Sequence, residues 1–112
     1  MVARVVRWSE AAERDLDDIV DHIALDSSIN AEAVLERLYE QARSLEQFAE
    51  RGRRIPELTG RQRAQRASWR ELVVRPWRIM FAIEGGTVFV LGVVDSRRDV
   101  RAWLASHLGI DR

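Results

Sequence analysis

The 112-residue sequence contains no cysteine and no lysine. The first absence rules out disulfides, cysteine-ligated zinc and thiol catalysis. The second leaves all eighteen strong cations as arginine, a side chain that grips carboxylate or phosphate with two parallel hydrogen bonds but does not give up its proton. Long apolar runs are also missing. Nothing approaches the roughly twenty apolar residues that span a bilayer, and the charged opening MVARVVRW does not read as a signal peptide. A soluble cytoplasmic protein without membrane association is expected. There is no Gly-rich phosphate loop, metal-spaced histidine cluster or nucleophile–base pair, which speaks against a conventional metabolic enzyme. No metal or cofactor is expected. The length is that of one domain, residues 1–112, large enough for a single core.

What the chain does have is segregated charge. The formal net charge is zero. Residues 1–50 carry twelve acids against five arginines, and residues 51–112 carry thirteen arginines against six acids. An acidic half and a basic half suggest different partners for each.

The pattern of residues divides the chain into elements. Val2 to Trp8 is a short β-branched run. Ser9 offers an N-cap to a helix in which Ala12, Leu16, Ile19 and Ile23 share a face, while Asp15, Asp17, Asp18 and Asp21 form a solvated one. DSSIN at 26–30 interrupts, and a second helix follows with Leu35, Leu38, Ala42, Leu45 and Ala49 in register, ending near Gly52 as a C′ residue. Two such helices with a short break predict an antiparallel hairpin. The arginine-rich stretch 51–66, with Gly52, Pro56 and Gly60, predicts irregular structure. Three strands follow: Trp69–Val74, Trp77–Ile83 and Val88–Val94. The first two join at Arg75-Pro76 and the last two at EGGT, where Gly85 and Gly86 supply positive φ. In the middle strand Trp77, Ile79, Phe81 and Ile83 share one face and Arg78, Met80 and Ala82 the other. A terminal helix from Val100 to Leu108 stops at Gly109. The expected class is α+β, in the order β-α-α-β-β-β, with the helical hairpin packed on one face of a small, mostly antiparallel sheet and a short C-terminal helix.

Taken in order, WSEAAERDLDDIVDHI, GRRIPEL and RELVVRPWRIMFAIEGGTVFVLGVVDSRRD resemble the RelE/ParE superfamily of toxins from bacterial toxin–antitoxin operons, over nearly the whole chain. No single piece is specific; their order and spacing carry the resemblance. It implies one fold with at least two activities. RelE-type members cleave mRNA in the ribosomal A site, and ParE-type members inhibit DNA gyrase. Both are held inactive by an antitoxin whose tail folds on binding, so a hetero-oligomer with a cognate antitoxin is expected.

RNA cleavage needs a base, an acid and a cation for the developing charge. By the resemblance Arg78 corresponds to the central-strand arginine and Arg97 or Arg98 to the one after the last strand, and these could hold phosphate. The proton-transfer partners are missing: Asp95 stands where relatives often have histidine, and Trp103 where a RelE-type tyrosine would be. Tyr39, His22 and His107 belong to helices, and His107 is read as a surface residue. Glu71 remains a candidate base, although a glutamate beside Arg70 is read first as half of a surface ion pair. Arg78 is accordingly read as a sheet-surface arginine used for binding, or paired with Glu71 or Glu84. The reading is a ParE-like toxin that arrests growth by inhibiting gyrase, with Arg78, Arg97, Arg98, Arg101 and Trp103 toward the target and Trp69, Trp77 and Arg70 toward the antitoxin. For Trp103, packing on the core is the favoured alternative. The competing readings are a ribosome-dependent mRNA endonuclease and a degenerate toxin that only binds its antitoxin.

Overall fold

The structure, a computed structural model, describes residues 3–110; Val2, expected in the first strand, lies outside the described residues. β1 (Val5–Trp8) leads into α1 (Glu10–Ala24), α2 (Ser28–Arg43) and a one-turn α3 (Leu45–Phe48) that runs on into a 3₁₀ turn at Ala49–Arg51. A six-residue α4 (Gly60–Gln65) precedes β2 (Trp69–Val74), β3 (Trp77–Glu84) and β4 (Thr87–Asp95), and α5 (Val100–Leu108) completes the order. Among the described residues no helix is long and apolar enough to cross a membrane.

The four strands form one sheet in the order β1-β4-β3-β2. β1 runs parallel to β4, and the other two pairings are antiparallel. Local sequence explains most of the boundaries. Ser9 accepts a hydrogen bond from the Ala12 amide at 3.0 Å and starts α1, Ser27 caps α2 through the Asn30 amide, and Asp99 caps α5 through the Ala102 amide, each satisfying a donor the helix leaves unpaired. Gly109 ends α5 in the left-handed region, with φ 68°.

The α1–α2 hairpin packs on one face of the sheet. Ala12, Leu16, Leu38 and Ala42 meet Val74, Ile79, Val90 and Val93 there, and Leu45 and Ala49 extend the contact to Phe81 and Val88. A register shift opposite Met80/Phe81 inserts an extra residue in β4. The shift explains why Val88 and Val90 face the helices before it and Val93 after it: one extra residue reverses the alternation of faces. The opposite face is closed as well. Met80 and Val94 pack there under Ile55, Leu58, Val100, Trp103, Leu104 and Ile110.

Three local expectations are corrected. The stretch 51–66 is not irregular throughout, because α4 forms inside it; Gly60 opens that helix (φ 53°) and therefore does not interrupt it. Gly85 alone takes positive φ in the EGGT turn, and Gly86 does not. Gly52 is no left-handed cap, since its backbone is extended (φ −66°, ψ 147°). It is required for space: a Cβ there would stand 2.5 Å from Phe81 Cζ.

Candidate functional site

β3 lies inside the sheet, and Arg78 projects from it on the Met80 side, where the segment 53–58 and α5 cover it. The residue is only 6% exposed, and neighbouring Glu71 is completely buried. Arg78 is thus not on an open sheet face. Its Nε donates to Glu71 Oε1 at 2.6 Å, Nη1 donates to Glu57 Oε2 at 2.9 Å, and Nη2 reaches the other Glu57 oxygen. Glu71 is shared: Arg53 Nε donates to its second oxygen at 2.6 Å. The same two residues form a backbone bridge, Arg53 N to Glu71 O at 2.9 Å and Glu71 N to Arg53 O at 2.8 Å, which ties the loop to the outer edge of β2. The order Glu57–Arg78–Glu71–Arg53 makes a charge-alternating clamp. Among the described residues no buried side-chain polar atom lacks a partner, as buried charge requires.

The electrostatics agree. Hydrogen bonds from Arg78 hold the Glu57 carboxyl below its usual range despite partial burial. Burial works against the Arg78 charge, but Glu57 and Glu71 together outweigh it and the guanidinium titrates above its ordinary value. With each of its three nitrogens on a carboxylate, the guanidinium cannot grip a phosphate with two parallel hydrogen bonds without breaking an ion pair. Glu71 is correspondingly not half of a surface pair with Arg70. Arg70 Nη1 donates instead to the Gly52 carbonyl at 3.1 Å, and Arg101 Nη1 donates to the Glu57 carbonyl at 3.2 Å. Trp103 is buried (4% exposed) in the notch over Gly92, which matches core packing and withdraws its ring from any surface. Trp69, half-buried, carries the Arg66 guanidinium 5.5 Å from its ring centroid.

A second region forms at the end of β4. Trp77 pairs in register with Asp95, and a cleft of about 340 Å³ opens between Trp77, Asp95, Arg97 and Arg98 on one side and Asp15, Asp18 and His22 of α1 on the other. Arg97 Nε donates to Asp95 at 2.9 Å, and that bond holds the Asp95 carboxyl below its usual range. Arg97 and Arg98 are both exposed. Asp15 departs from its expected solvated role. It accepts from the Val93 amide at 2.9 Å, which satisfies the β4 edge beyond the end of β1, and it meets His107 Nε2 at 3.0 Å. Burial pushes the Asp15 carboxyl up, with Val93 and His107 pulling against it. His107 stacks on Trp103 with centroids 4.6 Å apart, and is therefore no plain surface residue. Tyr39 sits far from both regions, edge-on to Trp8. Among the described residues no His, Asp or Glu cluster is grouped to hold a metal ion.

Residues 6–100 match the sequence profile of the ParE toxin of type II toxin–antitoxin systems, parDE. The chain belongs to this family. The fold of this ParE-family toxin is similar to that in the chromosomal ParDE toxin–antitoxin system from P. aeruginosa, with TM-score 0.66 and 24% identity over 83% of this chain and 96% of that one. It is similar also to the RelBE2 toxin–antitoxin complex from Mycobacterium tuberculosis, with TM-score 0.56 and 22% identity over 84% and 99%. A mutant of the E. coli toxin RelE in the free state superimposes with TM-score 0.60 and 14% identity over 96% and 97%. No curated sequence matches significantly. At these identities the likeness establishes the α+β fold.

The expected site residues of this toxin fall into separate groups. Arg70, Glu71, Arg78 and Arg101 gather around the clamp. Trp77, Arg97 and Arg98 line the cleft. Trp69 lies at the opposite end of the β2–β3 hairpin from Trp77, since Trp69 pairs with Ala82 and Trp77 with Val74. At about 3.3 Å per residue the two tryptophans stand roughly 17 Å apart along the strands, and they pack on opposite faces of the sheet, Trp77 with the helical hairpin and Trp69 with the segment and α5, so one antitoxin segment touching both must run along the hairpin and around its edge. Sequence reasoning does not single out Arg53 or Glu57, and it reads Asp15 and His107 as solvated. The one available signal was Glu57, the single acid among six arginines in residues 51–66.

Proposed function

We propose that this ParE-family toxin inhibits DNA gyrase and thereby arrests growth, and that a cognate antitoxin neutralises it. The observation that carries the reading is the commitment of Arg78. RNA cleavage at this sheet would need a cation for the phosphorane charge beside an acid and a base. The β3 arginine is buried between two carboxylates, and neither histidine nor the tyrosine lies in that cluster. A surface that acts by binding needs no such set. Arg97, Arg98 and Arg101 remain on the outside and are the side chains we assign to the target; Arg70, Trp69 and Trp77, all half-buried, offer the antitoxin a cation and two amphipathic rings.

The test is a supercoiling reaction with purified gyrase, scored for relaxed and linear plasmid. Linear product that appears with free toxin and disappears with antitoxin supports the reading. Unimpaired supercoiling at large molar excess overturns it and directs attention to ribosome-bound mRNA.

A further inference from the structure

The arginines around segment 52–66 are held in a way the clamp does not explain. Arg63 Nε donates to the Leu58 carbonyl at 2.9 Å, Arg70 to the Gly52 carbonyl, Arg101 to the Glu57 carbonyl, and Arg66 rests on Trp69. Arg54 and Arg61 stand exposed beside them. Among the described residues none of these six forms an ion pair with a carboxylate. The segment's one acid, Glu57, and the adjacent buried Glu71 are both consumed by Arg78 and Arg53. A carbonyl or a ring orders a guanidinium without neutralising it; Arg70 and Arg101 still act on the nearby carboxylates of Glu50 and Glu57, whereas among the described residues Arg63 and Arg66 are ordered without a carboxylate partner. The segment, α4 and α5 carry Arg54, Arg61, Arg63, Arg66 and Arg101, whereas Arg70 leaves β2 in register with Phe81, on the face opposite Trp69.

A repulsive array of this kind is unfavourable for the isolated domain, and a repeated anion relieves it. Arginine forks fit phosphate in particular. We infer that this arginine surface binds the phosphate backbone of duplex DNA directly. The inference rests on the gyrase reading only for where the DNA is met, namely on the duplex that gyrase holds. An acidic protein segment is the competing occupant. It would offer isolated carboxylates, whereas a nucleic-acid backbone presents phosphates at even spacing along its whole length.

The experiment is a fluorescence-anisotropy titration of the full-length free toxin with a labelled duplex of arbitrary sequence, repeated across salt concentrations. If the five arginines of the segment, α4 and α5 engage, the affinity falls about 500-fold between roughly 50 and 200 mM salt. The Arg54→Glu/Arg61→Glu variant, which breaks no hydrogen bond and whose fold is checked by circular dichroism, binds at least about tenfold more weakly, with a log–log salt slope shallower by about two. Arg14→Glu/Arg37→Glu makes the same change in net charge on the helical hairpin and keeps the wild-type slope. Three results would overturn the inference: no binding at low salt, an equal loss in the hairpin control, or displacement of the duplex by equimolar polyglutamate or single-stranded RNA. Gyrase is absent from the titration, so a negative result leaves the gyrase reading standing, and a negative gyrase reaction does not alter a positive titration.

Discussion

Replacing Arg78 with methionine isolates what the clamp does. The substitution keeps most of the side-chain volume and removes the guanidinium from between Glu57 and Glu71. Glu71 is completely buried and would retain Arg53 alone, itself 59% exposed. Glu57, with 22% of its side chain exposed, can turn toward water. Removing one partner of a buried pair costs about 3–5 kcal/mol, because the other charge is left uncompensated; the remaining Arg53 contact places this case near the lower end, at about 3 kcal/mol. For a domain of this size that is a fall in Tm of about 10–20 °C. The assay is urea unfolding followed by far-UV circular dichroism, with an unchanged m-value as the sign that stability alone has moved. Glu71→Leu in the Arg78→Met background removes the orphaned carboxylate and should recover at least about half of the loss through a favourable coupling between the two sites. A single variant within about 1 kcal/mol of wild type, or a double variant no better than the single, would refute a structural clamp and return Arg78 to the list of functional cations.

Other consequences are simpler to state. Gly92→Ala places a Cβ 2.5 Å from Trp103 Cη2 and 3.0 Å from Asp15 Oδ2, so a loss of about 1–3 kcal/mol with a shift in tryptophan emission is expected; unchanged emission and stability would contradict the packing of α5 over β4. Arg97→Ala/Arg98→Ala removes exposed side chains and one surface ion pair, worth about 0–1 kcal/mol. Growth after induction should recover while thermal stability is kept, and full growth arrest would take both residues out of the target contact. The pKa of Glu57 is lowered by folding, so its contribution is present above the usual carboxylate range and is lost as pH falls through the folded value; Asp95 acts in the same sense, and Asp15, raised by burial, acts in the opposite one. Stability should therefore decline from about pH 5 toward pH 3, and Glu57→Gln should be less stable at neutral pH with a flatter acid limb. An equally steep limb in that variant would show that Glu57 does not carry the effect.

The strands and the hairpin could be read from the sequence because their causes are local. Alternating β-branched and aromatic residues from Trp69 to Val94, the Gly85 turn, the Ser9 and Asp99 caps and the 3–4 spacing of Leu35, Leu38, Ala42 and Leu45 each act within a few residues. The clamp could not be read in this way. Arg78 looks like an outward-facing strand residue until segment 53–58 is laid over it, and that contact joins positions 21 residues apart. Asp15 and His107 lie 92 residues apart, and nothing in α1 alone separates Asp15 from its solvated neighbours. Gly52 and α4 escape the sequence for a different reason. Composition marks glycine as a breaker, whereas Gly52 answers the ring of Phe81 and Gly60 stands at the start of a helix, where positive φ interrupts nothing.

The proposed action on gyrase by binding, without RNA cleavage, can be tested directly. The direct measurement gives one preparation of free toxin to two reactions side by side: gyrase with supercoiling substrate, and programmed ribosomes with an end-labelled mRNA in the A site. Linear plasmid from the first and intact mRNA from the second is the predicted result. Cleaved mRNA with unimpaired supercoiling would contradict it.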